Sequence, residues 1–564
     1  MRTLRALASS SALLALLVAA GCTVHRPAGP RAPDEMSALP ASDVNPTPRE
    51  RLRTGGVLRW PMPEFPVQWN FHHVQGAKGV VNEVLRGVMP YLMRSDERGV
   101  VRPVPEYLDK VEVVTEPRQV VTYTIDPRAR WSDGTPITYR DFAAQARALS
   151  GRDRRYRVAA VTGYDRIARV ERGRTDRQAV VVFARPYADW RSLFTPLYPA
   201  GTCGDPRVFN EGWVNRVPVG AGPFRVESID RTAKTVTIAR DPRWWGRPAL
   251  LDRIVFRVMD PAAVPGAFAN GEVDVLDAGG DASAYRRALS VKGAVVRRAA
   301  GPDWRHLTFN AASPMLTDVR VRQAIMAGID RRALAEADLK DLDWPIRTLG
   351  NHFFMHTQAG YRDNSGVIGR YDPDRARRLL DAAGWRRSGR YRTRAGRTLR
   401  LRFVVPATQQ ISKREGELVQ AMLDRIGVRV DIVPVPTDDL FDRYVLPGNF
   451  DIVPFSWLGT PFPISSNRAV FARPKGGNVQ QNYSRIGTAE LDRAMDRAAA
   501  ELDPAEAREL INKADRLVWE QATVLPLYQR PQLLAVRADL ANFGARGFHD
   551  LAYEDIGFLA PAAR

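Results

Sequence analysis

The sequence predicts an α/β protein whose chain crosses between two lobes more than once, and three observations predict it. Strand-like and helix-like runs alternate from about Trp304 to Leu525, as in a lobe with a largely parallel sheet. The first half carries short alternating strands instead. The runs PLYQRP and LLAVRADL after Leu525 read as strands with no neighbour of their own, so they must pair with earlier chain and form a hinge of several strands.

The elements justify themselves in chain order. Arg2 and Arg5 open a basic start, Ala6 to Ala20 is apolar, and Ala19-Ala20-Gly21-Cys22 follows. The stretch is too short to span a bilayer and ends in small residues, which marks a secretory signal. It resembles a bacterial lipoprotein signal, in which the cysteine, here Cys22, becomes the acylated N-terminus; Ala19 stands where that signal usually has Leu. Residues 23–53 are rich in Pro without apolar period and predict a flexible tether, which keeps a soluble body close to a membrane.

Strands are expected at VLRWPM after Gly55-Gly56, at Val121-Tyr123-Ile125, at Val180-Val182, and in PFRVES, TVTIA and IVFRV. Asp318 caps a helix with Val321, Ala324, Ile325 and Gly328 on its apolar face. Asp372-Pro373 starts the next helix and Gly384 ends it. LRLRFVV, a helix carrying Leu418 to Ile426 and stopped by Gly427, and VRVDIVPV complete the alternation.

Composition excludes several functions. The chain of 564 residues is 45% hydrophobic, enough for a large core and incompatible with disorder. Of 83 basic residues eight are Lys and the rest Arg, and their even spread argues against a nucleic-acid stripe despite the net charge of +20. With Cys22 and Cys203 the only cysteines, no disulfide framework holds the fold. His352 and His356 lack a third ligand nearby, so no metal or cofactor is expected. No GxSxG, HExxH or paired-carboxylate pattern stands in a catalytic context, and no enzyme is expected.

Several segments together resemble the extracytoplasmic solute-binding proteins of the peptide and nickel class, subunits of ABC importers. They are WSDGTPITYRDF (131–142), GAGPFRV (220–226), DPRWWGRPALLDRIVFRV (241–258), ANGEVDV (269–275), FNAASPMLTDVRVRQAIMAGIDR (309–331), YDPDRARRLLDAAGW (371–385) and FDIVPFSW (450–457). Each has a local reading. Asp133-Gly134 makes a tight turn, Thr138 or Asp141 starts a helix, and the glycines of GAGPF suggest unusual backbone angles at a lobe crossing.

The resemblance implies a periplasmic-binding-protein-like type II fold with an extra inserted domain. Lobe I would be 54–75, 215–303 and 526–564, the inserted domain 76–214, and the α/β lobe III 304–525. It implies a monomeric receptor that encloses a peptide or other small solute, delivers it to ABC permease subunits, and sits lipid-anchored on the extracytoplasmic face of the membrane. A cell-envelope lipoprotein of the same fold that binds a glycolipid or protein partner is the alternative.

The cleft residues implied are Trp69, Asn70 and His72 after the first strand, Trp457, Thr460 and Phe462 in FSWLGTPFP, and Asn482 and Tyr483 in QQNYS. Peptide binders of this class carry an Asp three residues after the equivalent of Trp457, pairing with the ligand amine; here that position is Thr460. A hydroxyl offers a buried ammonium one neutral acceptor. Amine recognition would then need Asp451 or Glu64, and blocked peptides or other neutral polar ligands gain weight.

Overall fold

The structure is a computed structural model and describes residues 39–474 and 479–561. The signal segment, Cys22 and the tether up to residue 38 lie outside the described residues. Residues 39–53, expected in the tether, are instead docked: Leu39, Val44 and Leu52 are buried, the Asp43 amide donates to Ala545 O at 2.7 Å, and Leu52 pairs with Leu559. Three spaced apolar side chains among the prolines fix this segment to the body: Leu39 enters the core of the α/β region, Val44 the first-half core, and Leu52 packs with Leu250, Ala541 and Leu559. Among the described residues no helix is long and apolar enough to cross a membrane.

The elements that position the site are β1 (Val57–Met62), β2 (Leu108–Val114), β3 (Val120–Ile125), α1 (Tyr139–Leu149), β4 (Ile167–Arg172), β5 (Gln178–Phe183), β6 (Phe224–Asp230), β7 (Thr235–Arg240), β8 (Arg253–Val258), β9 (Val275–Asp277) and β10 (Ala294–Phe309). They continue with α2 (Val319–Gly328), α3 (Pro373–Ala382), β11 (Arg400–Pro406), α4 (Gln410–Asp424), β12 (Arg429–Val435), β13 (Ile452–Leu458), α5 (Pro463–Phe471), α6 (Ala489–Ala500), α7 (Pro504–Gln521) and β14 (Val524–Arg537).

Two four-stranded sheets, β1-β8-β7-β6 and β2-β3-β5-β4, share one core in the first half. The six-stranded sheet runs β9-β14-β10-β13-β11-β12. Only β13–β11 and β11–β12 pair parallel; β9–β14, β14–β10 and β10–β13 are antiparallel, so the sheet is mixed where the alternation predicts a largely parallel one. Local signals act as expected: Thr138 and Asp141 form a reciprocal capping box on α1, Asp318 accepts from the Arg320 amide, and Gly384 and Gly427 take φ of +82° and +83°.

GAGPF works differently. Gly220 and Gly222 have ordinary backbone angles; a Cβ there would stand 2.7 Å from Val88 O and 2.5 Å from Gly87 O, so these glycines permit a close backbone approach.

The two runs after Leu525 are one strand. β14 spans fourteen residues, and with β10 it passes from one core to another: Leu534 and Val536 pack in the first-half core, Leu525 and Leu527 in the core of the α/β region, with Leu307 and Phe309 of β10. Pro526 and Pro531 sit where the β10–β14 register slips, the places where a strand tolerates a missing donor. Gly301, Pro302 and Asp303 of β10 fall in the larger slip, which makes this point the hinge.

Candidate ligand-binding site

Side chains alternate along β10 and β13, and that alternation builds two different faces. Register pairs Trp304 with Trp457 and His306 with Phe455, placing these four rings on one face; Trp304 and Trp457 pack against α5 to α7, and Phe455 packs with Leu440, Val445 and Phe450. Trp457 is half-buried between two rings: His306 is stacked at 6.0 Å and 4°, Tyr483 at 5.6 Å and 15°. Phe455 meets both Trp457 and His306 edge-on, and Phe441 closes against Phe455 and Tyr483.

His306 is fully buried and its ring nitrogens make no well-formed hydrogen bond, the Trp304 backbone offering only a marginal contact; the Trp457 indole N–H has no partner. Burial, with the Arg305 charge adding to it, pushes the His306 imidazole well below its ordinary range, so it stays neutral. The Tyr483 phenol is raised by burial. This wall is apolar with unmet polar demand.

Just past the wall, the Thr460 hydroxyl accepts from the Phe462 amide at 3.1 Å and contacts the Ser466 hydroxyl, while Gln358 donates to Thr460 O at 3.3 Å. Thr460 therefore helps shape the start of α5, with Phe462 at its N-cap. Gly459 N–H donates to Pro302 O at 3.0 Å, so this turn rests on the hinge. At the hinge itself Asp303 faces Arg530 at 3.4 Å. Burial raises both Asp303 and the nearby Asp277 above the usual carboxylate range, with Arg530 opposing. A cavity of about 570 Å³ adjoins this point, lined by Trp60, Met62, Glu83, Asp277, Gln532 and Arg546 among others.

A second contact joins the inserted region to α5. Asp189 accepts from the Ser465 amide at 3.1 Å and from its hydroxyl, Tyr187 Oη lies 2.8 Å from Ser465 Oγ, and Ala188 N–H donates to Ala499 O.

Of the residues nominated from sequence, Trp457 and Tyr483 come together, with Thr460 and Phe462 following. Trp69 and Asn70 have no exposed surface and Asn482 is 1% exposed, so these three are enclosed in this structure, as His306 is. Trp69 O accepts from Tyr198 Oη, Asn70 Nδ2 donates to Phe209 O at 2.9 Å, and His72 Nε2 lies 2.9 Å from Pro196 O. Burial lowers His72 to about 4. The three tie the turn after β1 to the inserted region. Asn482 Nδ2 donates to Ala472 O and Ile486 O.

Neither proposed substitute carboxylate serves the site. Asp451 immediately precedes β13, at the end opposite Trp457 and roughly 20 Å along the strand; Glu64 is exposed and paired with Lys78. His352 is bonded to Asp515 and Val524 O inside the core. Sequence reasoning missed His306, Asp303 and Asp277; the only available signal was the alternation of WRHLTF, which reads equally as core.

A family model described as bacterial extracellular solute-binding proteins, family 5, middle part, matches residues 102–479. The chain is 40% identical over 554 residues to the oligopeptide-binding protein OppA of Mycobacterium tuberculosis, covering 97% of this chain and 93% of that one. The chain belongs to this solute-binding family. Its members are binding proteins, and the chain has their periplasmic-binding-protein type II fold. The periplasmic EDTA-binding protein EppA superposes with a TM-score of 0.84 at 25% identity, covering 92% of this chain and 98% of that chain. The probable monoacyl phosphatidylinositol tetramannoside-binding protein LpqW of Mycobacterium tuberculosis is 31% identical over 338 residues, 57% of this chain and 50% of that protein.

Proposed function

We propose that the protein captures a peptide or peptide-like solute between its lobes and delivers it to an ABC permease, working as a monomeric lipoprotein anchored through Cys22 on the extracytoplasmic face of the membrane. The observation that carries this reading is the Trp457 wall: stacked rings whose His306 and indole nitrogens make no well-formed hydrogen bond, set beside the two strands that cross between lobes. Ligand backbone supplies the missing hydrogen-bond partners, and bonds made there gain strength because water is excluded. Closure follows because the ligand touches both lobes only when they meet.

Thr460 adds selectivity. Its hydroxyl is already engaged, and no carboxylate stands at that position, so the wall favours ligands whose amine is blocked or absent. The partial match to LpqW gives the envelope-glycolipid reading less support than the nearly full-length match to OppA gives peptide capture.

The test is calorimetry of the mature chain with matched pools of free-amine and N-acetylated short peptides, with scattering for closure. The acetylated pool should bind at least as tightly, and Thr460→Asp should shift preference to free amines by about tenfold. Absence of binding and closure with every pool would end the transport reading. Metabolic labelling with palmitate, abolished in Cys22→Ser, tests the anchor.

A further inference from the structure

The structure assigns a second site, for a multiply charged phosphate-bearing anion, to a pocket of about 880 Å³ at the end of the six-stranded sheet opposite the hinge. β11, β12 and β13 run parallel, and the C-terminal end of β13 carries Trp457; the pocket lies at their N-terminal ends, among Arg397, Arg400, Arg402, Arg429 and Arg485. Seven residues of β13 place Trp457 roughly 20 Å from the pocket end of the strand. The pocket is therefore distinct from the Trp457 end of the ligand wall, although the 483–485 segment reaches both, with Tyr483 at the wall and Arg485 at the pocket.

Its charge is not balanced internally. Arg400 and Arg429 are direct cross-strand neighbours, a repulsive placement, and one carboxylate, Asp431, is shared between them. Arg402 has Asp451, but that carboxylate is 5% exposed and already accepts from the Ser313 hydroxyl and the Arg402 amide. Arg397 is exposed and has no polar partner among the described residues.

Arg485 has no carboxylate either. It donates to Leu446 O, its Nε is buried without a partner, and its backbone takes φ of +60°. Gly448 stands so close that a Cβ there would be 2.5 Å from that Nε.

Five guanidiniums against two carboxylates, around a hollow walled by the 310–315 loop and Pro447-Gly448, call for an anion with several oxygens. Phosphate suits them, because planar guanidinium groups bind phosphate oxygens in pairs. Phosphate chemistry reaches an extracytoplasmic protein as a soluble oligophosphate or as a lipid headgroup, and the experiment separates them.

The soluble Cys22→Ser chain is titrated with inorganic pyrophosphate by calorimetry, and sedimented with phosphatidylcholine vesicles with and without phosphatidylglycerol. Saturable binding is expected, weakened about tenfold or more by R397Q/R485Q and unchanged in the charge-matched control R174Q/R231Q. Arg397 has no partner to lose, so the single R397Q variant carries the test if Arg485 proves necessary for folding. Capture only by phosphatidylglycerol vesicles identifies a headgroup; saturation only by pyrophosphate identifies a soluble anion. Equal weakening in both double variants, or no saturable binding to either probe, overturns the site.

Discussion

The two faces of the β10–β13 strand pair are made by alternate residues of the same segments, yet they solve burial in opposite ways. On one face Arg305 meets Glu415 through two hydrogen bonds and also donates to Ser412, while Tyr528 donates to Asp338 alongside. On the other face Trp304, His306, Phe455 and Trp457 leave three ring nitrogens without a well-formed hydrogen bond. A buried polar group that lacks its hydrogen bond costs about 1–3 kcal/mol, so a protein keeps several in one place only where something else supplies the bond. The satisfied face holds the lobe together, and the unsatisfied face is where a ligand completes it.

The largest expected effect breaks the satisfied face. Glu415→Ala leaves the Arg305 guanidinium buried without its counter-charge and should cost about 3–5 kcal/mol in urea denaturation. Loss of less than about 1 kcal/mol would mean that Arg305 reaches water, and the contrast between the faces would collapse.

A second variant separates the faces by pH. Burial, with the Glu415 charge adding to it, pushes the Asp338 carboxyl well above the usual range. The folded state then holds a proton that the unfolded chain releases above about pH 4, so this group makes stability fall as pH rises from there through neutral. His306 acts in the opposite sense. Its folded pKa is depressed, so the unfolded chain binds a proton below about pH 6.5 that the folded state refuses, and stability falls as pH drops. Asp338→Asn should therefore be worth about 2 kcal/mol near pH 8 and nothing near pH 4, leaving only the acid-side loss. An unchanged pH profile would remove Asp338 from the ionic network.

Much of this architecture is legible in the chain, because caps and periods are local. VLRWPM, Asp318, Asp372-Pro373 and Gly427 act within a turn or a strand, and each does what its chemistry predicts. The site is legible only in part. Trp457 and Tyr483 meet at the wall, but Trp69 and Asn70 have the same aromatic and amide chemistry and end up enclosed: Phe209 O accepts from the Asn70 amide and Tyr198 Oη donates to the Trp69 carbonyl, both from far along the chain, while the Trp69 indole N–H stays buried without a partner. Composition names a group's needs, whereas the long-range partner decides whether those needs stay open. His306 shows the converse: a lone histidine in WRHLTF looks like core until the strands around it bring only rings.

The smallest expected effect is also the sharpest test of the contrast. His306→Phe keeps a ring of similar shape against Trp304, Phe455 and Trp457 and removes two nitrogens that make no well-formed hydrogen bond. At neutral pH the substitution should change stability by no more than about 1 kcal/mol, in either direction, and below pH 6 it should protect, since the group that refuses its proton is gone. Ligand affinity should fall nonetheless, because the partner that the bound solute offers now meets a hydrocarbon edge. A large loss of stability without any change in affinity would assign His306 a hidden partner in the free protein, and the unsatisfied face would then be ordinary core.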